Sequence, residues 1–169
     1  NNYTVFATET FIDEVSQEIG VDPMAFRLNY LNGVGINAGS NTPASYGGGK
    51  RLANVLKIAS GLANYGLENL GEYEGLGIAI TGAENRWAPC FLALVAKVKV
   101  DKNSAAINVQ KLTCVLDVGI AINPDGIKAQ VEGSLLWGLS NALLEKMTLE
   151  DVMVSERNFD SYKWQNITK

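Results

Sequence analysis

The sequence predicts an α+β fold, and three observations carry that reading. Apolar residues recur at helical spacing in four separate segments. Two apolar, β-branched runs are joined by only Asp101-Lys102-Asn103, which makes their pairing antiparallel. Helices and hairpins fall in separate runs instead of alternating helix by strand, which is the α+β pattern.

In chain order, Thr8 to Gly20 places Phe11, Ile12, Val15 and Ile19 on one helical face, and Gly20 stops the helix. Asp22-Pro23 restarts a second one, with Asp at the N-cap and Pro at the first helical position. Met24, Phe26, Leu28 and Leu31 form its apolar side. Residues 1–32 thus read as a helical hairpin. Residues 33–49, rich in Gly, Asn, Ser and Ala, read as a linker. Its Gly47-Gly48-Gly49-Lys50 resembles half a phosphate loop. A true one needs an earlier Gly and a Ser or Thr after the Lys, where Ala44 and Arg51 stand. Residues 50–169 read as the α+β portion. Lys50 to Tyr65 is a helix with Leu52, Val55, Leu56, Ala59 and Leu62 inward, ended by Gly66. Gly75 to Gly82 is a short strand, and Phe91 to Asp101 pairs with Ala105 to Val118. Asn123 caps the longest helix, from Pro124 or Asp125 to about Leu144. Met147 to Ser155 closes a second hairpin at Glu150-Asp151.

The 169 residues suffice to bury a core as one domain or a tight pair of subdomains. A formal net charge of -4 opposes a nucleic-acid surface, which needs clustered Lys and Arg. The tight basic pair Lys50-Arg51 reads as a solvated helix start. No apolar run approaches the roughly 18 residues of a membrane span. No signal peptide is visible, and the compartment, cytoplasmic or periplasmic, is not readable. Cys90 and Cys114 read as buried free thiols. With 0 histidines, the usual general base and metal ligand are missing.

The stretch Asp117 to Leu139 carries the most chemistry. Gly126, Gly133 and Gly138 sit inside a helix, at about 1 kcal/mol each relative to Ala. Close packing against a sheet explains them, and so does close approach of a ligand. Gln130 and Ser134 lie beside the face made by Ile127, Val131, Leu135 and Gly138. A Gln at the border of a buried face can donate and accept at once, which suits the edge of a heterocycle; satisfaction by neighbouring backbone is the plainer reading. Asp117 reads as a turn carboxylate bonded to nearby N–H groups sooner than as an acid or ligand. Trp87 and Trp137 read as core packing sooner than as pocket walls. Glu84, in a loop after a strand, has no identifiable partner.

The segment DVGIAINPDGIKAQVEGSLLWGLS strongly resembles the molybdopterin-binding large subunit of the xanthine dehydrogenase and aldehyde oxidase family. The opening FATETFIDEVSQEIGVDPMAFRLNYL resembles the same family's helical hairpin, and the tail NFDSY also fits. The N-P-D-G wording and the tail are similar to the isoquinoline 1-oxidoreductase branch, which includes membrane-associated aldehyde dehydrogenases. The resemblance implies a molybdenum hydroxylase, which inserts a water-derived oxygen into a C–H bond of an aldehyde or N-heterocycle. It implies a molybdopterin-type molybdenum cofactor, iron–sulfur clusters on a small partner subunit, and contacts with the remainder of the large subunit. It assigns Gln130 as a cofactor contact, with Gly133 and Ser134 letting the pterin approach. It places the catalytic glutamate in a glycine-rich loop beyond Lys169, so the chain is expected to be a fragment, inactive alone. After Tyr162, KWQNITK departs from the family pattern. The competing expectation is a non-catalytic scaffold or interaction domain that kept the fold and lost the cofactor.

Overall fold

A computed structural model describes residues 2–31, 48–67, 69–85 and 88–164. It is α+β, and the chain divides into two compact units, Asn1–Gly119 and Ile120–Lys169. Most of the expected linker, including Gly47, and Trp87 lie outside the described residues, as does the side chain of Glu84.

The first unit holds α1 (Asn2–Glu18), α2 (Pro23–Tyr30), α3 (Gly48–Leu62), β1 (Glu74–Asn85), β2 (Ala88–Val100) and β3 (Ile107–Asp117). The strands form one antiparallel sheet in the order β1-β2-β3. The β2–β3 turn is held by Asp101, whose Oδ1 accepts from the Asn103 and Ser104 N–H groups at 3.0 and 2.7 Å. Alternate residues Phe91, Ala93 and Val95 of β2, with Ile78 and Ile80 of β1, turn one sheet face inward. Val55, Leu56, Ala59 and Ala63 from α3 and its C-terminal end cover that face. Met24, Leu28 and Leu31 of α2 and the residue after it extend the core. Asp22 caps α2 by accepting from the Ala25 N–H at 2.9 Å. Its other oxygen accepts from the Tyr65 hydroxyl at 3.1 Å, and burial together with Asp22 pushes that phenol up to about 12.

The structure corrects three expectations. The first helix begins at Asn2, six residues early, and its Phe11 is exposed, as is Ile19 just past its end. The residues it buries are Glu9, which pairs with Arg27 of α2, and Ser16, whose hydroxyl donates to the Asp13 carbonyl at 2.8 Å. Leu62 is also exposed, since Ala63 lies in the core at the turn that leaves α3.

The second unit holds α4 (Pro124–Leu143), β4 (Leu149–Glu150) and β5 (Met153–Val154). The two short strands pair antiparallel around Asp151-Val152, both at positive φ. Past the hairpin the tail folds back: Tyr162 donates to Glu145 Oε2 at 2.9 Å, and the Thr148 N–H donates to Glu156 Oε2 at 2.7 Å. Among the described residues, no helix is long and apolar enough to cross a membrane.

Candidate cofactor-binding site

Asp117 ends β3 directly opposite Phe91 of β2, and Phe91 lies opposite Gly82 of β1. A Cβ on Gly82 would crowd the Phe91 ring at 3.1 Å, so the glycine lets that ring lie close against β1. Over that ring stands Arg51 of α3, its guanidinium carbon 4.7 Å from the centroid, a cation–π distance. Arg51 donates from Nε and Nη2 to the two Asp117 oxygens at 2.8 and 2.6 Å, a bidentate fork. The Gly119 N–H donates to the same carboxylate at 2.9 Å, and Gly119 adopts φ +73, a conformation that favours glycine. Bonding to Arg51, opposed by partial burial and reinforced by Gly119, holds the Asp117 carboxyl down at about 2. Asp117 is therefore the turn carboxylate expected from the sequence, with an added partner. Arg51 is not the solvated helix start expected: it is half-buried, paired and stacked.

In the second unit, Asn123 caps α4 by accepting from the Gly126 N–H at 3.0 Å. A Cβ on Gly126 would meet the Asn123 amide at 2.9 Å, so this glycine serves the cap. Gly133 and Gly138 have no such reason, because a Cβ on either would meet nothing within 4 Å. Gln130, Gly133 and Ser134 fall at i, i+3 and i+4, on one face of α4. All three are exposed. Gln130 is exposed beside the partly buried row Ile127, Val131, Leu135 and Leu139 of α4. Its amide has no hydrogen-bond partner among the described residues. Trp137, expected in the core, is 79% exposed one turn farther along. Glu132 is exposed and lies 3.8 Å from Lys128.

The row therefore offers an amide with no partner among the described residues, a glycine with open space beside it, and a hydroxyl. An amide and a hydroxyl of this kind can donate to and accept from the edge of a flat polar heterocycle.

Sequence pattern missed Arg51 as the partner of Asp117, 66 residues away, and Arg27 as the partner of Glu9, 18 residues away. Neither pairing leaves a local signal.

Three relatives align with nearly the whole chain. A membrane-bound aldehyde dehydrogenase (pyrroloquinoline-quinone) of Gluconacetobacter polyoxogenes is 38% identical over 160 residues, 95% of this chain and 21% of that protein. The beta subunit of isoquinoline 1-oxidoreductase from Brevundimonas diminuta is 28% identical, over 93% of this chain and 18% of its own length. A nicotinate dehydrogenase subunit from Pseudomonas putida is 26% identical, over 93% and 13%. The chain thus spans about a fifth or less of these relatives. Residues 34–169 match the model of the molybdopterin cofactor-binding domain, and the chain belongs to that family.

Proposed function

We propose that this chain forms one wall of the cofactor site in a molybdenum-dependent oxidoreductase that hydroxylates aldehydes or N-heterocycles. The observation that carries the reading is the solvent-facing row Gln130, Gly133 and Ser134 on α4, inside the matched span. When bound, the cofactor supplies the two-electron oxidation and the path for a water-derived oxygen. The chain's own residues bind and orient it. The Gln130 amide donates to and accepts from the ring edge, Gly133 admits the ring close to the helix backbone, and the Ser134 hydroxyl adds a polar contact. No glutamate of this chain is assigned the catalytic role.

The names of the relatives support the substrate classes: an aldehyde for one, isoquinoline and nicotinate for the others. Two of those names denote subunits, which supports a partner. We place the electron exit in iron–sulfur clusters on a small partner subunit, and the remaining cofactor contacts in a longer large subunit. Within it, residues 1–32 act as a helical hairpin, 33–49 as a linker and 50–169 as the α+β cofactor portion. Residues 1–169 alone are expected to show no turnover.

The test is molybdenum and pterin content of the full-length protein, by metal analysis and pterin fluorescence after oxidation. Gln130→Ala is expected to lower both severalfold at unchanged fold. Wild-type occupancy in that variant would overturn the Gln130 assignment. A full-length protein that holds neither molybdenum nor pterin, or holds a quinone cofactor in their place, overturns the reading. The first outcome leaves the non-catalytic scaffold; the second follows the quinone in the first relative's name.

A further inference from the structure

We infer that the groove between α1, α2 and the edge strand β1 seats an extended, apolar segment from the part of the large subunit outside residues 1–169, held by strand addition to β1. The inference rests on the reading of this chain as part of a longer subunit and goes beyond the cofactor assignment of α4.

The groove lies within the first unit and has a volume of about 530 Å³. Val5, Ile12 and Val15 of α1 line it, together with Phe26 of α2, Leu31 just after it and Leu52 of α3. Phe11 and Tyr30 also reach it and are 64% and 80% exposed. Phe11, Ile12 and Val15 form the apolar face that the sequence lays along α1, yet none of them joins the core of the unit. A stripe suited to burial therefore borders open space. Glu9 and Arg27 are the charged residues of the lining, and they already pair with each other. An occupant needs no charge of its own.

The strand supplies the polar recognition. Ile80 lies opposite Ala93, and its N–H turns away from β2 to donate to Glu9 at 2.8 Å. In an antiparallel ladder that direction repeats two residues on. The Ile80 carbonyl and the Gly82 N–H and carbonyl thus point off the same open edge. Both residues line the groove, and these three groups have no partner among the described residues. Unpaired backbone groups on a strand edge, beside apolar side chains, are what an extended peptide adds to. Its backbone bonds the edge, and its alternate side chains enter the groove.

Length argues for the occupant. The chain spans 21% or less of its relatives, so a parent of their length carries several times more polypeptide than these 169 residues. A segment of the same polypeptide is tethered beside the groove. Its effective concentration there is high, so modest affinity suffices.

The test uses the full-length protein with the photocrosslinker benzoylphenylalanine in place of Phe11, and mass spectrometry of the linked peptides. The expected link runs to a peptide of the same polypeptide outside residues 1–169. If that protein does not fold, the same probe in place of Tyr30 decides. Exchange of the Gly82 N–H should be at least about tenfold slower than that of an open amide. A link within residues 1–169, to a second copy or to a partner subunit overturns the inference. So does the absence of a link at both positions, or exchange at Gly82 at the open rate. Molybdenum content of the same preparation reads the cofactor assignment separately. Full content with an empty groove overturns this inference alone; an occupied groove in a protein without molybdenum overturns the cofactor reading alone.

Discussion

Arg27 of α2, 1% exposed, holds Glu9 of α1 with Nε and Nη2 both 3.0 Å from the same carboxylate oxygen. That oxygen also accepts the Ile80 N–H of the edge strand β1 at 2.8 Å. Nη2 also donates to the Glu9 carbonyl at 3.3 Å and Nη1 to the Pro23 carbonyl at 3.1 Å, and Asp13 stands 2.7 Å from Nη1 as an ion pair. One buried arginine therefore ties the helical hairpin to the sheet and covers a polar group on an open strand edge.

Removing one partner of a buried ion pair leaves the other charged and desolvated, at about 3–5 kcal/mol. Arg27→Ala should cost that much, a large share of the roughly 5–15 kcal/mol that holds a typical domain together. Arg27→Lys should recover only part of it, because an ammonium cannot reproduce the planar fork. Urea unfolding of the two variants checks this. A loss below about 1 kcal/mol for Arg27→Ala would mean the network contributes little.

The Asp117 carboxyl, bonded by Arg51 and held at about 2 against an ordinary 3.8, makes stability depend on acid. The folded value is the lower one, so the contribution is fully present above about pH 5. It fades as pH falls through 4 toward 2. Asp117→Asn should remove that part of the acid slope and cost about 1–2 kcal/mol at neutral pH. This figure is discounted for solvent reaching a side chain that is 30% exposed. Unfolding free energy measured at several pH values, variant against wild type, tests both sign and window.

Local chemistry was the readable part of this fold. The caps at Asp22 and Asn123 and the turn at Asp101 each depend on residues within three positions, so their side-chain types and spacing announce them. The pairings Arg27–Glu9 and Arg51–Asp117 depend on which helix lands beside which strand, and spacing along the chain carries no record of that. The candidate site was half legible. Wording in the Gln130 segment resembled a family, and the matched span agrees. The apolar spacing of α4 had outlined the partly buried row Ile127, Val131 and Leu135, and Gln130 stands exposed beside it.

The β4–β5 turn contains a mismatch between residue and backbone. Asp151 and Val152 have φ values of 47 and 66, the left-handed pair that a two-residue hairpin needs. Asp tolerates this region, whereas a β-branched residue pays about 1–2 kcal/mol. Val152 is 97% exposed, so its side chain gains nothing from packing in return. Val152→Gly should relieve that strain while losing about 0.5–1 kcal/mol to the greater freedom of unfolded glycine. The net gain is about 0.5–1 kcal/mol. Exchange of the Ser155 N–H, which bonds the Thr148 carbonyl at 2.9 Å across the hairpin, should slow by a few fold. Faster exchange would show that the turn prefers valine for a reason outside its own backbone.

Gly133 separates stability from binding in a single substitution. It lies in the interior of α4, with ordinary helical φ and nothing within 4 Å of an added Cβ. Alanine there meets no steric objection and recovers about 0.8–1 kcal/mol of helix propensity. A glycine retained only for packing would show the reverse, a loss on gaining a methyl. If the open space beside Gly133 instead admits a ring against the helix, the same methyl stands where the ring must approach. Gly133→Ala in the full-length protein should therefore raise the stability of α4, read by helical circular dichroism on heating, and lower molybdenum content. Higher stability with full molybdenum content would place the cofactor contact of this helix elsewhere, since the two readouts move in opposite directions only where a ring lies against Gly133.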